Sequence, residues 1–321
     1  MEAETITSDT TSYSMHGGGG GGHYPEIAKL NLKRKNRSNS LIKMPIFIRE
    51  LLAEMVGTYL LVMIGLAAVA NYKLNRNSKV GVDHFAVAFT FGIGGMSGIA
   101  ASMPISGSHL NPAVSLAFAL SGRLSIYKVP HYLLGQYIGA LLASFTVFIV
   151  YYEGIQEYDH GTRIAYAGEW FHENKTIMSE LASGDIFATF PAPWVSVTTA
   201  LLDQIIATFA LVFCVLAVTD KRAKLPEYLH PFMLGMVICG VVVAFGLQCG
   251  AALNPARDLS PRLFLLIGGY GFDAFRPVES LYWIVAGIIG PHIGAIIAAW
   301  SYGFLLWHDN NDQDHEDNEK H

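Results

Sequence analysis

An all-α membrane fold of six spans and two half-helices, arranged as an inverted three-span repeat, is what this 321-residue sequence predicts. Three observations lead there. Apolar residues make up 52 % of the chain and charged residues only 15 %, against about a quarter charged in soluble domains. Six stretches reach the length of ~20 mostly apolar residues that a bilayer core requires. The two halves of the chain also share three motifs in the same order.

The spans are 46–70, 84–104, 129–152, 194–219, 230–248 and 281–306. Two shorter apolar stretches, 111–121 and 254–267, follow the second and fifth spans. At 1.5 Å per residue the first would make about 16 Å of helix, roughly half the hydrocarbon thickness, so these are half-helices. The repeat pairs Glu54-x₃-Thr58 with Gln204-x₃-Thr208, Leu110-Asn111-Pro112-Ala113 with Leu253-Asn254-Pro255-Ala256, and Gly135-Gln136-x₂-Gly139-Ala140 with Gly290-Pro291-x₂-Gly294-Ala295. The offsets are 150, 143 and 155 residues. An odd number of spans per copy inverts the second copy, and inverted repeats build a site near the midplane from interrupted helices. Gly94/Gly98, Gly135/Gly139 and Gly290/Gly294 have the spacing of close helix packing.

Lys and Arg near the spans set orientation. Residues 33–49 carry six of them and no acid, and Lys221, Arg222 and Lys224 lie between the fourth and fifth spans. The connection 153–193 holds seven acids with only Arg163 and Lys175. Both termini are therefore expected in the cytoplasm, with the 71–83 loop, bearing Lys73, Arg76 and Lys79, dissenting. The expected organisation is a disordered cytoplasmic tail 1–45, a channel domain 46–306 and an acidic cytoplasmic tail 307–321. Within the domain, repeat one (46–152) and repeat two (194–306) are joined by an extracellular loop 153–193, where Asn174-Lys175-Thr176 is a glycosylation sequon. The glycine run in 16–23 reads as a flexible linker. No apolar core with a cleavage site precedes the first span, so no secretory signal peptide is expected. The net charge of −5 argues against nucleic acid, and the three cysteines show neither metal-ligand spacing nor a disulfide framework. No nucleophile–base pair or metal cluster accompanies the motifs, so neither an enzyme nor a cofactor or metal is expected.

Asn-Pro-Ala is a helix start: Asn is a favoured N-cap, and Pro at the first helical position loses nothing by lacking an N–H. In an inverted repeat the two half-helices enter from opposite faces and their N-termini meet at mid-membrane. Irregular backbone is tolerated there only when buried or lining a watery cavity, so 103–110 and 246–253 should line one. Two helix N-termini contribute about half a positive charge each, which repels cations. The amides of Asn111 and Asn254 can orient a passing oxygen as an acceptor and so interrupt a proton-conducting chain. Arg257, directly after the second motif, is an arginine at membrane depth and functional by default.

These residues resemble the aquaporin (major intrinsic protein) family over about 46–306. "NPARDLSPRLF" at 254–264, with Asp258 directly after Arg257, and Gln204 in the fourth span resemble its aquaglyceroporin branch. The resemblance implies a right-handed six-helix bundle, homotetramers with one pore per subunit, and a filter at Phe91, Val242, Ala251 and Arg257. Val242 stands where water-selective members have His and glycerol channels usually Gly. Ala251 stands where glycerol channels often have a larger group. Glu54, Gln204 and His109 are implied as loop supports, with proton relay the competing reading for Glu54. Cys249 is implied to lie in the pore-lining loop as a mercury target.

The expected function is a passive channel in the plasma membrane for glycerol, water, urea and other small polyols that excludes protons and ions. The alternatives are a water-selective channel and a closed-pore structural or junctional protein, to which the long connection 153–193 gives material. Expected partners are the permeants, the lipid bilayer and further copies of the chain.

Overall fold

The computed structural model describes residues 44–75, 82–166, 181–276 and 281–306. Most of both expected tails, the glycine run and the Asn174 sequon lie outside the described residues. The first repeat comprises α1 (Ile46–Leu74), α2 (His84–Ser106), the short α3 (Pro112–Leu120) and α4 (Val129–Val150). After a further short helix, α5 (Tyr152–Asp159), come α6 (Val197–Val218), α7 (His230–Cys249), the half-helix α8 (Pro255–Ile267) and α9 (Tyr282–Leu306). Among the described residues there are six helices long and apolar enough to cross a membrane, α1, α2, α4, α6, α7 and α9.

Local chemistry sets the boundaries. Asp83 caps α2 by accepting from the N–H of Ala86 at 2.7 Å, and Ser196 caps α6 by accepting from that of Thr199. Helices α2 and α7 both end on a glycine in the left-handed region, Gly107 and Gly250, with φ of 83° and 69°. Both half-helices begin with an Asn N-cap followed by Pro.

The packing repeats the inverted symmetry of the sequence. Helix α1 packs on α2 and α4, α6 packs on α7 and α9, and α2 meets α7 across the halves. The half-helices are exchanged: α8 packs mainly on α4 and α3 mainly on α9. Small residues permit the closest approaches. A Cβ on Gly135 or Gly139 would overlap the carbonyl oxygens of Leu51 and Met55, and one on Gly294 that of Ile205.

Two features depart from the sequence reading. Near its start, after Tyr282–Ile284, the last span contains a π-helical turn, Val285–Ile289. Pro291 lacks an N–H for the Gly287 carbonyl and its ring crowds that group, which accounts for the widened turn. The connection 153–193 is also more than a surface loop. In its described parts Ile155, Asp159, Ala182, Ser183, Ile186, Phe187, Ala188 and Thr189 are all buried. Asp159 receives two bonds from Arg163 Nη1, at 2.6 and 2.8 Å, and one from Ser183 Oγ at 2.7 Å. Lys73, at the end of α1, donates to Asp185 at 2.5 Å. Lys73 and Arg163 are thus internally paired, which explains why Lys73 dissents from the charge pattern used to orient the chain. Tyr166 donates to the Pro191 carbonyl at 2.7 Å, and burial pushes its phenol up to about 12, so it keeps its proton at neutral pH.

Candidate functional site

The two segments leading into the half-helices have the same unusual backbone. In the first, Gly107, Ser108 and Leu110 have φ of 83°, 63° and 54°; in the second, Gly250, Ala251 and Leu253 have 69°, 52° and 52°. Left-handed conformations cost a residue with a Cβ roughly 1–2 kcal/mol, and four such residues occur here at matched positions. Surrounding packing holds them, and they line a cavity together with His109, Asn111, Ala252 and Asn254.

The asparagines fasten the half-helices to each other. Asn111 Oδ1 accepts from the N–H of Ala113 at 2.9 Å, and its Nδ2 donates to the carbonyl of Leu253 at 3.1 Å. Reciprocally, Asn254 Oδ1 accepts from Ala256 and Arg257 at 3.0 and 3.2 Å, and its Nδ2 donates to the carbonyl of Leu110 at 2.7 Å. Each amide thus caps its own helix and ties down the opposite loop. An amide nitrogen carries two hydrogens, and each Asn lines the cavity with one of them so engaged. Pro112, Ala113, Pro255 and Ala256 are buried behind this junction, which brings the positive ends of two helix dipoles to one point.

Glu54, fully buried in α1, is a hub. Its Oε1 accepts from Ser106 Oγ at 2.6 Å and the N–H of His109 at 2.9 Å; its Oε2 accepts from the N–H of Leu110 at 2.7 Å and Gln136 Nε2 at 2.8 Å. Both carboxylate oxygens are therefore occupied by loop and scaffold donors. Gln204, its repeat partner in α6, makes a single bond to the second loop: Oε1 accepts from the N–H of Leu253 at 2.9 Å. The His109 ring borders the cavity, with Nδ1 3.2 Å from Ser115 Oγ and its ring against Phe118 and Tyr132.

Phe91, Val242, Ala251 and Arg257 all line the cavity. Arg257 Nη1 donates to the carbonyl of Phe187 at 3.0 Å, and the guanidinium carbon stands 5.1 Å from the centre of the Phe91 ring. The lining also includes the apolar side chains of Val242, Leu211 and Ile238. The lining therefore combines a charged donor and a track of loop groups with hydrocarbon side chains. The Phe91 ring is seated against Gly65, where any Cβ would overlap it.

Asp258 is not among the residues lining the cavity. It lies behind, with Oδ1 accepting from the N–H and Oγ1 of Thr189 at 2.8 and 2.6 Å, while Oδ2 pairs with Arg262 Nη2 at 3.1 Å. Arg262, fully buried, also donates to the carbonyls of Thr189 and Ala274 and stacks on Phe190, 4.8 Å from the ring centre. The pair bolts segment 187–190 and the turn at 271–275 to α8, so Asp258 acts on the cavity through the segment that presents the Phe187 carbonyl. Cys249 is a correction to the sequence reading: as the last residue of α7 it is fully buried, packed with Val195, Ala200, Tyr282 and Ala286, and does not line the cavity.

Several contributors escaped the sequence reading. Arg262 and Gln136 carried a signal, a charge inside an apolar half-helix and a polar residue within a repeated motif. Phe187, Thr189 and Gly65 carried none, because their roles come from partners tens of residues away. Among the described residues there is no cluster of His, Cys, Asp or Glu able to hold a metal.

The family model described as "Major intrinsic protein" matches residues 41–302. Aquaporin-9 of Homo sapiens is 36 % identical over 275 residues, covering 85 % of this chain and 88 % of that protein. Aquaglyceroporin-2 of Rhizophagus irregularis is 32 % identical over 260 residues, covering 81 % and 77 %. Among solved structures, the aquaglyceroporin from Plasmodium falciparum is 26 % identical with a TM-score of 0.68, covering 81 % of this chain and 97 % of that one.

Proposed function

The chain belongs to the major intrinsic protein family, and on that premise we propose that the cavity around the two Asn-Pro-Ala motifs is its conduction path, with Phe91, Val242, Ala251 and Arg257 as the filter. The protein is an integral multi-pass membrane channel, not an enzyme, and it passes glycerol and water. The observation that carries the mechanism is the mixed lining, apolar side chains together with Arg257 and the loop residues. A polyol has a carbon face and a row of hydroxyls. Phe91 and Val242 offer the carbons a wall, while Arg257 and the loop residues on either side of the motifs exchange hydrogen bonds with the hydroxyls. Leaving such a bond unmade costs about 1–3 kcal/mol, so passage needs replacements at each step. Small polyols share this two-part chemistry, and urea, a planar diamide, can exchange hydrogen bonds with the same groups.

Protons and cations are excluded at the half-helix junction and at Arg257. Two dipole ends and a guanidinium repel positive charge. A permeant oxygen that accepts from Asn111 and Asn254 cannot pass a proton along. Glu54, His109 and Gln204 serve as loop supports rather than relays, because both Glu54 oxygens are taken up by loop and scaffold donors. The protein works as a homotetramer in the lipid bilayer of the plasma membrane, with both termini cytoplasmic and the 153–193 connection outside, where Asn174 is available for glycosylation. The internal pairing of Lys73 and Arg163 supports that orientation.

Stopped-flow light scattering of proteoliposomes tests this reading. Vesicles should shrink and then rapidly re-swell in a glycerol gradient, shrink without re-swelling in sorbitol, and show no proton conductance. Shrinkage without re-swelling in glycerol would mean that Val242 closes the filter to carbon-bearing solutes.

A further inference from the structure

We propose that Asp203, which none of the motifs includes, is a positioning residue that orients the Gln204 amide and so holds the second pore loop in register. The inference rests on the channel reading above. In the first repeat a carboxylate supports the loop, and a carboxylate has no wrong way round: either oxygen accepts. In the second repeat Gln204 replaces it, and an amide has one accepting and one donating end. Only with Oε1 toward the N–H of Leu253 does it support the loop, as it does at 2.9 Å. Flipped, it would set a donor against a donor.

The repeat shows why a neighbour is needed. Gln136 of α4 engages the far side of Glu54, donating to Oε2 at 2.8 Å. The residue matching Gln136 in the second copy of its motif is Pro291, whose ring has no polar atom to offer. Its place is taken from the adjacent position of α6: Asp203 Oδ2 accepts from Gln204 Nε2 at 2.8 Å. Gln204 is fully buried, so the amide nitrogen has no solvent to turn to. Asp203 and the Leu253 N–H thus select the same orientation from opposite ends. Asn254 follows Leu253 directly and Arg257 lies in the first turn of α8, so an amide free to flip would loosen the donors that face the permeant.

This predicts reciprocal compensation. Asp203→Ala should lower glycerol permeability per channel about five- to tenfold, since a buried donor loses its partner and the flipped state loses one of its two clashes. Asp203→Asn keeps an accepting oxygen and should conduct nearly as the wild type does. Gln204→Glu alone should be impaired, because it sets two carboxylates side by side. The double variant Asp203→Ala/Gln204→Glu should recover most of the flux, because a carboxylate at 204 accepts from Leu253 whichever way it is turned. The measurement is glycerol and water flux in proteoliposomes, normalised to reconstituted protein, with wild type in parallel. A double variant no better than either single one, or Asp203→Ala indistinguishable from wild type, overturns the proposal. Absence of both glycerol and water flux in the wild type instead overturns the channel reading on which it rests.

Discussion

The two pore loops have nearly the same backbone and very different fastenings. Ser106-Gly107-Ser108-His109-Leu110 and Cys249-Gly250-Ala251-Ala252-Leu253 share their left-handed positions. The first is secured within its own repeat: Glu54 takes four donors, Ser102 and Ser108 bond at 2.5 Å, and Tyr132 donates to the Ser106 carbonyl at 2.6 Å. In the second, Cys249, Ala251 and Ala252 stand where the first has Ser106, Ser108 and His109, and Gln204 accepts from the N–H of Leu253 where Glu54 takes two loop N–H groups. Beyond the Asn111 bond to the Leu253 carbonyl, its surroundings are fastened by the long connection, through Phe187 on Arg257 and through Thr189 on Asp258 and Arg262. Sequence symmetry therefore fixes the shape twice but the chemistry only once. The loop next to Arg257 is free to carry a different lining because its support is external.

Removing the hub of each loop tests this contrast most severely. Glu54→Ala orphans four donors in a dry site, each worth about 1–3 kcal/mol, which approaches the ~5–15 kcal/mol stability of a typical folded protein. It should fail to yield a folded, membrane-delivered protein. Gln204→Ala orphans one loop donor and should yield a folded channel, with a thermal midpoint in detergent lower by a few degrees. Equal losses from the two would break the comparison.

The external strap is the next largest effect. Asp258→Ala leaves the Arg262 guanidinium without its carboxylate in a fully buried site, and breaking a buried pair costs ~3–5 kcal/mol. Released from Asp258, segment 187–190 no longer holds the Phe187 carbonyl against Arg257. Selectivity should relax toward solutes larger than glycerol in the same vesicle assay. A variant that kept wild-type discrimination between glycerol and sorbitol would show that the strap does not set the filter.

How much of this was legible beforehand follows from the range of each interaction. The half-helices were readable because Asn-Pro carries its own capping instruction within three residues, and the inverted symmetry because each motif recurs inside apolar sequence. The inward fold of the connection was not. Leu181–Phe190 has neither helical nor alternating periodicity, and its partners, Asp258 and Arg262, lie about seventy residues on. The π turn was likewise hidden, since Pro291 acts on a carbonyl four residues before it. Cys249 was misplaced because proximity to Asn254 in sequence says nothing about which way the last residue of a helix points.

Gly65 sharpens the comparison from the filter's other side. Its Cβ would overlap the Phe91 ring, so Gly65→Ala should displace the ring toward Arg257, at an overpacking cost of about 1–3 kcal/mol. Glycerol permeability should fall more than water permeability, because the larger permeant needs the ring where it is. An equal fall in both would point to general distortion of α1.

The smallest effect is expected at Cys249, and it bears on the comparison directly because this residue stands where Ser106 stands in the first loop. Ser106 donates to Glu54 at 2.6 Å. Cys249 is fully buried, turned from the cavity into a packet of Val195, Ala200, Tyr282 and Ala286. Replacing sulfur by oxygen there gives the second loop the hydroxyl that the first one has, without touching the conduction path. Cys249→Ser should therefore leave glycerol flux close to that of wild type, because a serine hydroxyl can still donate to Asp203 as the thiol does, and leave any block by mercurials unchanged. Protection from mercurials in this variant would place the thiol on the path after all. The two loops would then differ in the orientation of this side chain as well as in its bonding, and the second would be an open lining where the first is a closed one.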